Sequence, residues 1–86
     1  MHLEDKIREL FGVVLKVPVH EITDEARPID LQRWDSLQHL ILVSSFEEEF
    51  NLNIDPDQAV EMYKDFGTFK RFIMSKITET NGVNNA

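Results

Sequence analysis

The stretch Trp34-Asp35-Ser36-Leu37-Gln38-His39-Leu40 stands where a long irregular segment ends and the most apolar run of the chain begins. Asp35 is a favoured helix N-cap residue, and Gln38 follows it three residues later, which is the capping-box pattern. The sequence therefore predicts a helix whose first residue is Ser36. A hydroxyl at that position lies beside unpaired backbone N–H groups and the positive end of the helix dipole, which favour an anion. Ser36 is thus well placed to carry a phosphate ester.

Helical periodicity extends on both sides of this stretch. Apolar residues recur at helical spacing over 2–16, 36–50 and 68–77, with Thr68 as the predicted cap of the last helix. Asp55-Pro56 is a further helix start signal and predicts a short helix over about 56–63. Because the second helix is apolar over more than half of its circumference, we predict that it is the central helix, in contact with its neighbours on several sides.

These elements predict one all-α domain, a four-helix bundle with a long first loop and a short third helix. The chain has 86 residues, enough for a small core but not for a deep enzymatic cleft. Residues 1–79 would form the domain, and residues 80–86, which have no periodicity, a frayed C-terminal tail. No signal peptide is visible, and the longest apolar run is far too short to span a bilayer. We therefore expect a cytoplasmic monomer without membrane insertion.

The negative charge of the chain is concentrated after the helix start at Asp35. Residues 35–65 hold eight acids and one base, for a net charge of −7, whereas residues 1–34 carry −2 and residues 66–86 carry +2. Such a field repels nucleic acid and attracts proteins with basic patches. A solvated acidic surface that serves only solubility is the alternative interpretation.

Neither a metal site nor a catalytic site is favoured by the sequence. The three histidines are scattered, and the segment 55–57 begins like a calcium loop but lacks the required glycine. Ser36 and His39 lie one helical turn apart, a spacing that a nucleophile and its base could share. No Gly-rich loop is present to form an oxyanion hole, and Asp35 would be engaged as the cap. We predict that the protein is not an enzyme and that His39 is a surface residue near the serine.

The pattern resembles the acyl carrier protein family. Asp35-Ser36-Leu37, followed ten residues later by Phe46-Glu47-Glu48-Glu49-Phe50, is similar to the Asp-Ser-Leu opening and the Glu-Glu-x-Phe end of the family's second helix. The resemblance covers nearly the whole chain. It implies that Ser36 carries 4′-phosphopantetheine, donated by coenzyme A through a phosphopantetheinyl transferase, and that the thiol of this arm holds acyl intermediates as thioesters. An aminoacyl or peptidyl carrier and an unmodified acidic helical adaptor are the alternatives.

The resemblance also implies where partners and cargo would bind. The acidic second helix would dock on basic patches of the transferase and of enzymes that load and transfer acyl groups. The residues expected in this docking surface are Asp35, Trp34, His39, Ile41, Glu47 and Glu48. An acyl pocket would open between the second and third helices, lined by Leu40, Phe46, Ile54, Ala59 and Val60. Packing is the alternative role for Trp34, as a large residue that closes one end of the bundle, and for the pocket residues.

Two departures from the family pattern bear on the pathway. Gln32-Arg33-Trp34 stands where carriers of fatty acid synthesis commonly have a small Gly-containing step. Ile41 stands five residues after the serine, where those carriers tend to have Glu. The sequence is more similar to stand-alone carriers of specialised pathways, so we expect the specialised biosynthesis of a fatty acid, a polyketide or another lipid rather than the bulk synthesis of fatty acids.

Overall fold

The computed structural model describes the backbone of residues 2–85 and the side chains of residues 2–78, and the regular secondary structure in that range consists of helices. The elements in chain order are α1 (Leu3–Leu15), a 3₁₀ turn (Val19–Glu21), α2 (Ser36–Phe50), α3 (Pro56–Met62) and α4 (Phe66–Asn85). Helix α1 packs against α2 and α4, and α3 packs against α4. The all-α four-helix bundle predicted from the sequence, with its long first loop and short third helix, is confirmed.

An aromatic cluster fills the centre of the bundle. Phe11 of α1 makes edge-to-face contacts with Trp34, Phe66 and Phe69, with ring centroids 5.0, 4.8 and 5.2 Å apart. Phe46 of α2 contacts Phe69 in the same way at 4.9 Å. Burial of side chains of this size supplies much of the hydrophobic stabilisation of a small domain. The core therefore joins three helices to Trp34, the loop residue that lies two positions before Ser36.

The long first loop is fixed to the helices on the side of the bundle formed by α1 and α4. The first two N–H groups of α4, which lack partners within the helix, donate to the carbonyl oxygens of Ala26 and Asp24, each at 2.8 Å. The Asp24 carboxylate accepts hydrogen bonds from Lys70 Nζ at 3.0 Å and from Arg8 Nη2 at 3.1 Å. These contacts connect α1, the loop and α4 through one acidic residue.

Two helical glycines mark places where the backbone approaches too closely for a side chain. A Cβ atom at Gly67 would lie 2.9 Å from the carbonyl oxygen of Asp24, and one at Gly12 would lie 2.7 Å from that of Val17. Both distances are shorter than a carbon–oxygen contact allows. Glycine at these positions therefore lets the first loop lie directly on α1 and α4, although it weakens a helix interior.

Five predicted helix boundaries are corrected, and two of them are the ends of α1, which runs from Leu3 to Leu15 rather than over 2–16. Helix α4 begins at Phe66 rather than at Thr68, because Asp65 Oδ1 accepts the N–H of Thr68 at 2.7 Å and so acts as the cap. Helix α3 ends one residue earlier than predicted, at Met62. Helix α4 extends to Asn85, beyond the predicted end near residue 77. The predicted tail, 80–86, falls outside the residues whose side chains are described, and its fraying and its separation from the domain stay predictions.

The prediction that α2 is surrounded on several sides is wrong. The residues that α2 buries share one side of the helix: His39, Leu42, Val43 and Phe46. Three apolar side chains on another side remain in solvent, and we call them the α2 apolar face: Leu37, Leu40 and Ile41, which are 64%, 62% and 44% exposed. Packing within the fold does not account for these three residues, and they begin directly after Ser36.

Candidate functional site

Asp35 and Ser36 form the helix start that the sequence predicts. The backbone of Asp35 is extended, and its Oδ1 accepts a hydrogen bond from the N–H of Gln38 at 2.8 Å. Its carbonyl oxygen accepts the N–H of His39, also at 2.8 Å, which is the first bond of the helical ladder. The capping prediction is confirmed, and Ser36 is the first residue of α2.

The surroundings of Ser36 fit a phosphate ester. The side chain is exposed, so its hydroxyl can be approached from solvent. The N–H groups at the start of a helix point along its axis without intrahelical acceptors, and the helix dipole adds positive potential there. Asp35 occupies the N–H of Gln38, whereas the N–H groups of Ser36 and Leu37 have no acceptor in the helix. An ester phosphate on Ser36 would therefore find hydrogen-bond donors and favourable potential at the same place.

Trp34 and His39 form a buried hydrogen-bonded pair close to the serine. The two side chains belong to residues that are 1% and 4% exposed. Trp34 Nε1 donates to His39 Nδ1 at 3.1 Å, and His39 Nε2 lies 2.7 Å from the carbonyl oxygen of Ala59 in α3. An indole nitrogen can only donate and a carbonyl oxygen can only accept. His39 is therefore neutral, with its proton on Nε2 and none on Nδ1.

The prediction that Trp34 and His39 belong to the docking surface is therefore wrong, as is the prediction of His39 as a surface residue. A buried indole N–H needs an acceptor, and the imidazole supplies it. Tyr63 completes the cluster, with its ring centroid 4.8 Å from that of His39 and 5.7 Å from that of Trp34. Because both ring nitrogens of His39 are engaged inside the protein, the imidazole is not available as a base for Ser36.

Burial lowers the pKa of His39 below its ordinary value of about 6.5. The hydrogen bond to the Ala59 carbonyl acts in the opposite direction and raises the pKa, but burial is the larger effect. A second proton would have to be placed on Nδ1, where it would face the indole N–H of Trp34 instead of an acceptor. The neutral form is thus favoured both by desolvation and by the hydrogen-bond geometry.

His39 also completes the C-terminal end of α3. The N–H of Tyr63 bonds to the Val60 carbonyl at 3.1 Å and not to that of Ala59. The Ala59 carbonyl, which would otherwise lack a partner at the helix end, accepts from His39 instead. A helix of seven residues has little stability of its own. His39 therefore holds α3 against α2 and satisfies one of its terminal carbonyls.

The remaining residues of the predicted docking surface divide into two groups. Glu47 is half-buried, and its Oε2 accepts the N–H of Ile54 at 2.9 Å, which fastens the loop after α2. Its predicted docking role stays a prediction, beside this role of its carboxylate within the fold. Asp35 and Glu48 are exposed, and Ile41 is 44% exposed. These three residues stay candidates for partner contacts.

The predicted acyl pocket is not lined by the five residues expected. Leu40 and Val60 are 62% and 74% exposed and lie on the outside of α2 and α3. Phe46, Ile54 and Ala59 are buried in the core. The prediction is wrong for Leu40 and Val60, because each lies on a side of its helix that faces solvent.

The α2 apolar face is the feature that the sequence reasoning missed as a surface. Its members fall at positions i, i+3 and i+4, a spacing that predicts one side of a helix but not whether that side is covered. Exposed apolar side chains that lie together, rimmed by polar residues, are typical of protein interaction sites. The spacing that indicates this side is present in the sequence, but α2 has two sides with such spacing, and the sequence does not indicate which of them is buried.

Two other kinds of site find no support in the part of the chain that is described. Its His, Asp and Glu side chains do not gather in groups of three that could hold a metal ion. None of its helices has the length and apolar character needed to cross a bilayer. The surface around Ser36 therefore remains the candidate site.

Comparison with known proteins supports the same site class. The chain is similar to the solution NMR structure of a holo acyl carrier protein from Geobacter metallireducens, with a TM-score of 0.81 and 22% sequence identity over 95% of this chain and 93% of that chain. The family model described as "Phosphopantetheine attachment site" matches residues 5–73, which is most of the chain. The chain therefore belongs to the phosphopantetheine attachment family, as a carrier domain rather than an enzyme, whose cofactor is covalently bound 4′-phosphopantetheine.

Proposed function

We propose that Ser36 is the attachment point of the phosphopantetheine arm and that the protein carries acyl groups as thioesters for a specialised biosynthetic pathway. The observation that carries this proposal is the position of Ser36, exposed at the first residue of a helix capped by Asp35. The chain has three other serines, at 44, 45 and 75, and all lie inside helices. Only Ser36 combines an accessible hydroxyl with the anion-favouring end of a helix.

The chain's own residues restrict how the arm can be attached. The arm supplies a thiol, which the cysteine-free sequence lacks. Attachment forms a bond between Ser36 Oγ and the phosphorus of the arm and breaks the pyrophosphate bond of coenzyme A, so the nucleotide part leaves with its phosphate and the hydroxyl loses its proton. His39 cannot take that proton, because both ring nitrogens are occupied by Trp34 and Ala59. We therefore assign the base to the phosphopantetheinyl transferase, for which Ser36 is a substrate group.

The surface around Ser36 fits a partner with an apolar contact surrounded by basic groups. The α2 apolar face begins at Leu37, next to the attachment point. Exposed acids lie before it at Asp35, further along α2 at Glu48, and on α3 at Asp57 and Glu61. An apolar centre with a charged rim is the usual composition of a protein interface, and the negative rim selects positive partners. The proposed partners are the transferase and enzymes that load or transfer the acyl group.

The proposed specialised pathway is supported by the residue at position 41. Fatty acid carriers tend to have Glu there, whereas this chain exposes an isoleucine. A partner that places a basic group opposite this position would lose an ion pair and leave its charge facing an alkyl side chain. Ile41 therefore disfavours enzymes adapted to the acidic form of the surface.

Intact-mass measurement tests the attachment site. The protein is co-expressed with a broad-specificity phosphopantetheinyl transferase, and we expect a mass increase of one phosphopantetheine. Ser36→Ala should abolish the increase, while Ser44→Ala, an exposed serine of the same helix, should leave it intact. An unmodified protein under conditions that modify a control carrier would refute the proposal and favour the acidic adaptor.

Transfer kinetics test the docking surface. Leu37→Ala should lower the kcat/KM of the transferase by about tenfold, the effect of removing one central interface side chain worth ~1.4 kcal/mol. Val13→Ala is the matched control, because Val13 is 72% exposed on α1. Equal kinetics for the two variants would show that the α2 apolar face is not used in docking.

A further inference from the structure

The space between α2 and α3 is closed at the end nearest to Ser36. His39 is the first buried residue of α2 counted from the serine, and its imidazole bridges to the Ala59 carbonyl of α3 at 2.7 Å. Trp34 and Tyr63 lie against the same ring, with centroids 5.9 and 4.8 Å from it. A chain that extends from Ser36 into the interior between α2 and α3 would have to displace this bridge.

Displacement of the bridge would leave polar groups buried without partners. The His39 Nε2–H and the Ala59 carbonyl oxygen satisfy each other, and Nδ1 satisfies the indole N–H of Trp34. An alkyl chain has no atoms that could replace either hydrogen bond, so its insertion carries the desolvation penalty of every group it separates. The bridge also fixes the end of a seven-residue helix that has little stability alone.

We propose that His39 determines cargo specificity by excluding arm-bound acyl chains from the interior, so that the protein presents its cargo in solvent. The cargo class that suits such a carrier is a short or polar acyl group, because a long alkyl chain would gain no shielding from water. This inference depends on the proposed function in one respect, that the arm begins at Ser36. It replaces the acyl pocket that was expected between the second and third helices.

A chemical attachment tests the exclusion without the transferase. The sequence has no cysteine, so Ser36→Cys creates a single thiol. It is alkylated with two haloacetamide probes that share a spacer of the length of the arm and end in an acetyl or a dodecanoyl group. With His39 present, we expect the same Tm for both adducts and unchanged NMR signals of the Ala59 and Met62 methyl groups. A higher Tm and shifted methyl signals for the dodecanoyl adduct would overturn the proposal.

Two substitutions of His39 separate exclusion from general stability. His39→Asn retains an oxygen for the Trp34 N–H but is too short to reach the Ala59 carbonyl, whereas His39→Gln can reach it. The dodecanoyl adduct of the Asn variant should have a Tm higher than its acetyl adduct by about 4 °C or more, because a chain that enters the native state stabilises it. The Gln variant should show no such difference. If loss of the hydrogen bond to the Ala59 carbonyl only destabilised the fold, the Tm of both adducts would fall equally.

The outcomes distinguish this inference from the proposed function. A dodecanoyl adduct of the Asn variant that gains no stability would show that His39 is not what excludes the chain, and would overturn the inference. A higher Tm or shifted methyl signals for the dodecanoyl adduct of the protein that retains His39 would also overturn the inference, whether or not the transferase modifies Ser36. Failure of the transferase to modify Ser36 would refute the proposed function alone, because the alkylated protein still reports on the interior.

Discussion

Replacement of His39 by alanine should be among the most destabilising single substitutions in α2. The change removes the acceptor of the Trp34 N–H and the donor to the Ala59 carbonyl, and both groups remain buried. Each unpaired buried group costs about 1–3 kcal/mol. Lost contacts with Trp34, Tyr63 and Phe69 add a cavity penalty of roughly 1–2 kcal/mol, and the better helix propensity of alanine returns roughly 0.5 kcal/mol.

These contributions predict a loss of about 2.5–7.5 kcal/mol in the free energy of unfolding. Domains of this length have a total of about 4–13 kcal/mol, so the variant should be marginally folded. With an m-value of about 1–1.5 kcal/mol/M in urea, the unfolding midpoint should fall by about 1.7 M or more. The sole tryptophan of the sequence is Trp34, so its fluorescence reports directly on the perturbed cluster.

Leu40→Ala is the control, because Leu40 is one residue further along the same helix and 62% exposed. It should change the free energy of unfolding by about 0.5 kcal/mol or less. A loss below about 1 kcal/mol for His39→Ala, or equal losses for the two variants, would refute the reasoning that the imidazole satisfies two buried partners.

Three further predictions concern pH and the contacts that fix the first loop. Because burial lowers the pKa of His39, the unfolded state binds more protons than the folded state below the ordinary pKa of about 6.5. The free energy of unfolding should therefore fall as pH decreases from about 6.5 toward the lowered pKa. Urea titrations at each pH should show a smaller fall for His39→Gln. Gly67→Ala should destabilise the fold by about 1–3 kcal/mol despite a gain in helix propensity of about 1 kcal/mol, because the new Cβ would lie 2.9 Å from the Asp24 carbonyl oxygen. Ser75→Ala, at an exposed position of the same helix, should stabilise the fold slightly in the same urea assay. Asp24→Asn should lower the free energy of unfolding by about 1–2 kcal/mol, because it weakens the pairing of the buried Lys70 ammonium. Lys70→Met should lower it by less, and equal losses in thermal or urea unfolding would contradict this account.

Local signals in the sequence were sufficient to predict the helix start at the candidate site. The cap at Asp35 depends on its own side chain and on the N–H of Gln38, three residues away, so no distant contact is needed. The start of α3 at Pro56 is equally local, with Gln58 Oε1 accepting the N–H of Asp55 at 3.2 Å. Such elements can be predicted because the atoms that form them are neighbours in the chain.

The orientation of α2 could not be predicted in the same way. His39, Leu42, Val43 and Phe46 have the same helical spacing as the α2 apolar face, so periodicity allowed either side to be buried. The side with more alkyl groups is the exposed one. The buried side contains the hydrogen bond between Trp34 and His39, whose two polar atoms require each other once the indole is buried. In the sequence, this pair is indicated by a tryptophan that is followed five residues later by a histidine.

The attachment of the first loop to α1 and α4 has a consequence for how such carriers diversify. The loop is secured by backbone bonds to α4 and by the Asp24 carboxylate, on elements that do not include the α2 apolar face. Changes at Leu37, Leu40 or Ile41 therefore affect few internal contacts and should be nearly neutral for folding. Mutation can explore new enzyme partners on this face without first acquiring compensating substitutions, so recognition can evolve at a rate that the stability of the fold does not limit.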